Sequence, residues 1–150
     1  MTDIVDSATR SRMMAGIRSA NTRPELMIRK ALHAAGFRYR LHSRAVPGKP
    51  DMAFIRYRAV IFIHGCFWHG HDCALFRLPK TRRDFWALKI GNNRRRDAEV
   101  RRQLASEGWR TLTIWECSIR GRTAPGLARV VRTASAWLRK GSADLEIRGP

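Results

Sequence analysis

Apolar residues along this chain keep two rhythms, one of helical spacing and one of strict alternation, and the switches between them mark the elements. Thr22-Arg23-Pro24-Glu25 reads as a capping box with Thr22 as the cap, and Pro24 is tolerated in a first helical turn. Ile28, Leu32 and Ala35 continue at helical spacing until Gly36 stops the helix. Phe37, Tyr39 and Leu41 then alternate with Arg38, Arg40 and His42, the pattern of a half-buried strand, before Pro47-Gly48-Lys49-Pro50 breaks the chain. Residues 51–55 and 59–64 predict two strands joined by a turn around Tyr57, which sets Asp51 opposite Ile63 within a residue.

Thr81-Arg82-Arg83-Asp84 predicts the cap of a helix that carries Phe85, Trp86, Leu88 and Lys89 to Gly91. A second, highly basic helix is expected over 92–107, with Val100 and Leu104 facing inward and Gly108 as its stop. Residues 109–116 alternate as a strand that delivers Cys117, and Leu127, Val130, Val131, Ala134, Trp137 and Leu138 form one face of a core-packing helix. The element order is that of one α/β or α+β domain, a central mixed sheet flanked by helices. The expected organisation is a basic arm over 1–21, the domain over 22–140, and a loose tail over 141–150.

Length and composition agree with a single domain: 150 residues with 44% apolar content suffice for one hydrophobic core. Charge narrows the class further. Thirty Lys and Arg against twelve Asp and Glu leave +18, more than solubility asks, and favour a polyanionic partner, with nucleic acid first. A membrane-surface role lacks its helix with segregated basic and aromatic faces, and no apolar stretch has spanning length. The polar opening of the chain carries no secretory signal, and three cysteines make an odd count, so a cytoplasmic location without disulfides is expected.

The densest chemistry follows the apolar run Val60-Ile61-Phe62-Ile63. His64-Gly65-Cys66-Phe67-Trp68-His69-Gly70-His71-Asp72-Cys73 packs three imidazoles, two thiols and two aromatics into ten residues. Cys66, His71 and Cys73 are able to supply thiolate, imidazole and thiolate to a tetrahedral zinc, and Cys117 completes the set. The alternative is three reduced cysteines packed as small hydrophobes in the core. Either way His64 and His69 fall outside the metal shell, where their nearest use is chemistry.

These motifs together resemble a known family. Glu25 on a helix ahead of Gly48-Lys49-Pro50-Asp51 and a hairpin resembles the Pro-Asp half of the restriction-endonuclease-like nuclease core, but Phe62-Ile63-His64 stands where an acidic-x-lysine signature is usual. That substitution, with His64 to His69, Phe85-Trp86, Lys89-Ile90-Gly91, Asn93 and Trp115-Glu116-Cys117-Ser118-Ile119-Arg120-Gly121, is similar to the very-short-patch repair endonucleases, from the Ala8-Thr9-Arg10-Ser11 arm to the Trp137 helix. The resemblance implies a restriction-endonuclease-like α/β fold with an embedded structural zinc. The implied activity is Mg²⁺-dependent nicking of one DNA strand at thymine-guanine mismatches left by 5-methylcytosine deamination.

Residue roles are expected accordingly. Asp51 offers Mg²⁺ its hard oxygen ligand, and the family's neighbouring backbone carbonyl maps to Ile63, where threonine is usual in the family; a carbonyl role survives that change. His69 is the general base or water-orienting group, since imidazole titrates nearest neutrality. By similarity, Asp97 fixes the His69 tautomer, His64 sits by the scissile phosphate, and Glu25 supports water on the cation. Phe67, Trp68 and Trp86 suit a wedge into the duplex, with Met14 and Ile17 of the arm entering from the other groove. Lys89 and Asn93 reach the mismatch edges by similarity, and Arg94, Arg95, Arg96, Arg101 and Arg102 hold phosphates, unless they form only a solvated helix face. Each role also has a plainer structural reading: Glu25 as a helix-capping residue, the histidines as core groups, Trp86 and Phe85 as core aromatics. The expected partners are a mismatched duplex and, in a bacterial-type, nucleoid-associated setting, mismatch-repair proteins; a monomer suffices for nicking. Two rival readings keep the basic surface: a zinc-containing DNA-binding module without catalysis, and a restriction-type nuclease that cuts paired DNA.

Overall fold

The computed structural model describes residues 21–150, and Met14 and Ile17 lie with the arm outside the described residues. Helix α1 (Arg23–Ala34) begins where the sequence predicts: the Thr22 hydroxyl accepts the Glu25 N–H at 3.4 Å. The reciprocal bond of the box is shifted by one residue, because Glu25 Oε1 takes the Asn21 N–H at 3.1 Å. Strands β1 (Arg40–Leu41), β2 (Met52–Phe54), β3 (Ala59–His64), β4 (Arg110–Trp115) and β5 (Leu145–Ile147) form one sheet in that order. The pairs β1–β2 and β2–β3 are antiparallel, whereas β3–β4 and β4–β5 are parallel. Helix α2 (Arg83–Ser106) makes the crossover between β3 and β4, and α3 (Leu127–Lys140) that between β4 and β5.

Period-two alternation explains why both faces of the sheet are covered. Met52, Phe54, Ile61, Leu112 and Ile114 point to one side and pack with Ile28 and Leu32 of α1 and Val130, Ala134, Trp137 and Leu138 of α3. Ala53 and Val60 point to the other side and meet Val46, Leu104 and Trp109, flanked by Phe62 and Val100. Among the described residues α2 is the helix on that face of the sheet, and it also packs against the loop that follows β3. No helix among the described residues is long and apolar enough to cross a membrane.

Three expectations need correction. The predicted strand over 37–41 shrinks to Arg40–Leu41, because Phe37 and Tyr39 turn into the core and set their rings 6.2 and 5.4 Å from that of Phe54. The two helices predicted around Gly91 are one continuous helix of 24 residues capped at Arg82, not Thr81; a single glycine costs about 1 kcal/mol, too little to break a run of strong helix formers. The expected loose tail is an ordered strand. β5 extends the sheet beside β4, Asp144 accepts the buried Thr111 N–H at 2.8 Å, Glu146 accepts Trp115 Nε1–H at 3.2 Å, and the Ala143 carbonyl accepts Trp137 Nε1–H at 2.7 Å. Its sequence, Asp-Leu-Glu-Ile, is too short and polar to announce a strand.

Truncation after Lys140 should therefore destabilise the domain by about 3 kcal/mol or more, since each buried donor stripped of its acceptor costs about 1–3 kcal/mol. Urea denaturation measures it, and a truncated chain with the full-length midpoint would show that β5 adds nothing.

Candidate active site and metal centre

Asp51 ends the Pro-Gly turn and opens β2, opposite the end of β3. The turn is pressed against α2: Gly48 adopts φ +78°, and a side-chain carbon there would come within 2.2 Å of Val100 Cγ1, so the close approach requires glycine. Asp51 Oδ2 accepts the Ile63 N–H at 2.6 Å, which fixes the carboxylate against the strand as the hairpin register predicts. Burial pushes the Asp51 carboxyl up to about 7; the Ile63 amide opposes that shift, and the neighbouring Glu25 charge reinforces it.

Glu25 joins Asp51 from the first turn of α1. It is buried, its Oε2 lies 3.2 Å from the Arg29 guanidinium and 2.8 Å from His42 Nε2, and that nitrogen is 3.8 Å from Asp51 Oδ1. Glu25, His42 and Asp51 thus present three donor atoms within 4.8 Å of one another, a set able to hold a cation. His42 was missed by sequence reasoning because it falls on the polar beat of the predicted strand. The available signal was its place next to a turn that ends in Asp51.

His64 and His69 line the same cleft as Asp51. Their rings stack at 3.8 Å with planes 3° apart. His69 Nδ1 lies 2.5 Å from Asp97 Oδ2 on α2, so Nδ1–H donates to the carboxylate and Nε2 is left as the acceptor. His64 is buried at the end of β3 with no hydrogen-bond partner for Nδ1 among the described residues. Burial pushes its pKa down to about 3, aided by His69. Asp51, Ile63, His64, His69 and Asp97 all line one cleft of about 440 Å³, and Lys49, Arg96 and Arg101 make its wall basic. The cleft can hold a cation beside an imidazole base while its walls attract a phosphate.

The cysteines come together as the second site. Cys66, His71, Cys73 and Cys117 place their donor atoms within 4.8 Å, and no cysteine is in a disulfide. Cys117 Sγ lies 3.5 Å from His71 Nδ1, so Nδ1 is the ring atom turned toward the cysteines. The loop is held by His71 N–H to the Cys66 carbonyl and Cys73 N–H to the His71 carbonyl, both at 2.9 Å. Burial raises the Cys66 and Cys117 thiols and lowers the His71 imidazole, so the apolar setting disfavours thiolates that have no compensating charge beside them. Sequence reasoning missed the contribution of the C-terminal residues: Gly149 N–H points to Cys117 Sγ at 3.3 Å, and Arg148 pairs with Asp72 at 2.5 Å.

The aromatic tip joins the loop after β3 to the first turn of α2. Phe67, Trp68 and Trp86 are half-buried and in mutual ring contact at 5.2 to 5.8 Å, with Phe85 and Leu88 exposed beside them. Asn93 Nδ2–H donates to the Trp68 carbonyl at 2.8 Å, so its amide is already engaged in holding the tip. Lys89, Arg94, Arg95, Arg96 and Arg102 are exposed along α2, and Arg101 is half-buried.

Comparison with known proteins bears on this arrangement. Residues 2–75 match the family model described as DNA mismatch endonuclease Vsr. The chain is 48% identical over 119 residues to the type II nicking enzyme V.XorIIP of Xanthomonas oryzae, covering 79% of this chain and 88% of that one. It is 45% identical to the DNA mismatch endonuclease Vsr of Escherichia coli, covering 81% of this chain and 78% of the relative. A third relative, the type II nicking enzyme V.NmeAIP of Neisseria meningitidis, is 42% identical over 81% of this chain and 87% of its own.

The depressed His64 pKa has a measurable consequence. The unfolded chain takes up this proton near pH 6.5, whereas the fold resists it to about 3. The stability contributed by neutral His64 is therefore present above pH 6.5 and lost as pH falls through that window. NMR should show the His64 ring-proton shift flat from pH 8 to about 5; a midpoint near the ordinary imidazole value would contradict its burial.

Proposed function

Because this chain belongs to the Vsr DNA mismatch endonuclease family, we propose that it is a Mg²⁺-dependent endonuclease that nicks one strand of duplex DNA at thymine-guanine mispairs. The observation that carries the reading is the single cleft in which Asp51 faces the His64, His69 and Asp97 group between basic walls. The antiparallel β1–β3 unit with Asp51 at its mouth and the parallel β4 beside it support a restriction-endonuclease-like core.

Asp51 and the Ile63 backbone carbonyl are the proposed ligands, and the hard carboxylate oxygens of the Asp51 and Glu25 pair fit Mg²⁺. Bound there, the ion supplies Lewis-acid polarisation of the phosphate and makes the attacking water more acidic. His69 Nε2 takes the proton of that water, and Asp97 stabilises the imidazolium through Nδ1–H. His64, kept neutral by burial, orients His69 by stacking and offers the phosphate a hydrogen bond in place of a second positive charge. Lys49, Arg96 and Arg101 steer and hold the phosphate backbone.

Recognition in this reading is by deformation, since a mispair is easier to unstack than a normal pair. Phe67, Trp68 and Trp86 wedge into the duplex at an unstacking cost of a few kcal/mol, smallest at the mispair. Lys89 meets the base edges, while Asn93 holds the Trp68 backbone and leaves its side-chain oxygen for DNA. Met14 and Ile17 of the arm are assigned to the opposite groove.

The Cys66, His71, Cys73 and Cys117 set fits a closed tetrahedral Zn²⁺. Four protein ligands leave that ion no open position, so its task is to stiffen the loop that carries Phe67, Trp68 and His69. Cys117→Ser should abolish stoichiometric zinc, read by elemental analysis, and lower the melting temperature. Zinc retained at the wild-type level would place the fourth ligand elsewhere.

The function itself is tested on labelled duplexes with and without a thymine-guanine pair, in Mg²⁺ or EDTA. Nicking of one strand confined to the mispaired duplex and to Mg²⁺ is expected. Double-strand cutting of a paired site, or retention of DNA without cutting, would reject it. Asp51→Ala should bind the duplex and not cut it, and His69→Ala should cut about 10²- to 10⁴-fold more slowly; an unchanged rate removes His69 from the chemistry.

A further inference from the structure

His42 is the one group of the acidic wall to which the mechanism above gives no task, yet the fold places it with care. It follows β1, and its N–H donates to the Asp51 carbonyl at 3.4 Å, so residues 42 and 51 continue the β1–β2 pairing by one step. Its backbone is left-handed at φ +48°, which swings the imidazole over the carboxylates. The Glu25 charge is already met by Arg29 at 3.2 Å, so His42 is not required as its counter-ion.

We propose that His42 Nε2 is a further ligand of the catalytic divalent cation, beside Asp51, Glu25 and the Ile63 carbonyl, making a mixed nitrogen and oxygen centre that works with Mg²⁺ but binds Mn²⁺ and other first-row cations more tightly. This rests on the reading that Asp51 holds that cation. The spacing supports it. In an octahedral shell with bonds of about 2.1 Å, neighbouring ligands lie about 3.0 Å apart and opposite ones about 4.2 Å. Nε2 is 2.8 Å from Glu25 Oε2 and 3.8 Å from Asp51 Oδ1, and all three donors are within 4.8 Å. The side chains are largely sheltered, at 2% exposure for Glu25, 16% for Asp51 and 19% for His42, while the cleft keeps one side open for substrate. Chemistry sets the preference. Mg²⁺ favours all-oxygen shells and sheds water reluctantly, whereas an imidazole nitrogen is a good donor to Mn²⁺ and to the later first-row ions.

Electron spin-echo spectroscopy of Mn²⁺ bound to the full chain, with the cysteine site loaded with Zn²⁺, reads the ligand atoms without reference to activity. Wild-type protein should show ¹⁴N coupling from a directly bound imidazole, replaced by ¹⁵N coupling when histidine is ¹⁵N-labelled. His42→Gln, which keeps a polar partner for Glu25, should lose the coupling and bind Mn²⁺ at least about tenfold more weakly, with a smaller change for Mg²⁺. No nitrogen coupling in the unmutated protein overturns the proposal whether or not the variant folds. Coupling that persists in a folded His42→Gln also overturns it, because the nitrogen is then another histidine's. Asp51→Asn separates the two readings: loss of Mn²⁺ binding there, with no His42 coupling in the wild type, removes His42 alone and leaves Asp51 in place. Undiminished binding in Asp51→Asn removes both.

Discussion

A carboxylate taken out of water must be held by something, and at the mouth of the β2–β3 hairpin Asp51 is held by one backbone N–H, that of Ile63, at 2.6 Å. A second carboxylate, Glu25, is buried beside it, and its charge raises the Asp51 carboxyl further. The pair is tolerable because the hairpin, the Pro-Gly turn against α2 and the first turn of α1 all fix it from outside. The same fixing makes the place suited to a cation, since ligands that cannot move apart gain little by any rearrangement other than binding a positive ion. The fold thus stores an electrostatic demand at one end of the sheet.

Trp115 connects that end to the cysteine cluster. Its indole stacks on His71 at 3.9 Å with planes 9° apart and meets the edges of His64 at 5.2 Å and His69 at 6.2 Å. One rigid side chain therefore spaces the His71 imidazole of the cysteine cluster from the His64 and His69 pair, and its N–H is anchored on Glu146 of β5. Order in the cysteine loop reaches His69 by packing as well as along the chain. Gly70 adds to this, since at φ +60° it brings the loop against Ile90 and Arg94 of α2, where an added carbon would fall 2.7 Å from Ile90.

Much of this was legible in the sequence, and the parts that were not share a cause. Period-two apolar runs marked β2, β3 and β4, the hairpin register set Asp51 beside Ile63, and the unusual density of His and Cys after Ile63 marked both sites. Local pattern carries such features because each is decided within a few residues. What escaped depends on distant partners. β5 is recognisable only by what Asp144 and Glu146 accept from Thr111 and Trp115. Phe37 and Tyr39 alternate correctly for a strand yet serve the core beneath α1. His42 reads as a solvent-facing residue until the pairing of β1 with β2 places it across from Asp51.

The charge distribution gives these pieces a common sense. In a chain of +18 formal charge, α2 carries seven Lys and Arg against three Asp and Glu, and Arg96 and Arg101 join Lys49 around a cleft that also holds Asp51 and Asp97. The basic face repels itself, and burial disfavours the Asp51 charge, while that of Glu25 is met by Arg29. On the proposed function, a nucleic-acid phosphate would meet the basic walls and a divalent ion the Asp51 carboxylate, and the charge of the ion would help to hold the phosphate beside it. On the reading proposed here, duplex and cation therefore bind cooperatively, with no change in shape required. On that reading, specificity for the mispair falls to the aromatic tip together with Lys89 and Asn93 at the base edges, where stacking and hydrogen bonds weigh more than net charge.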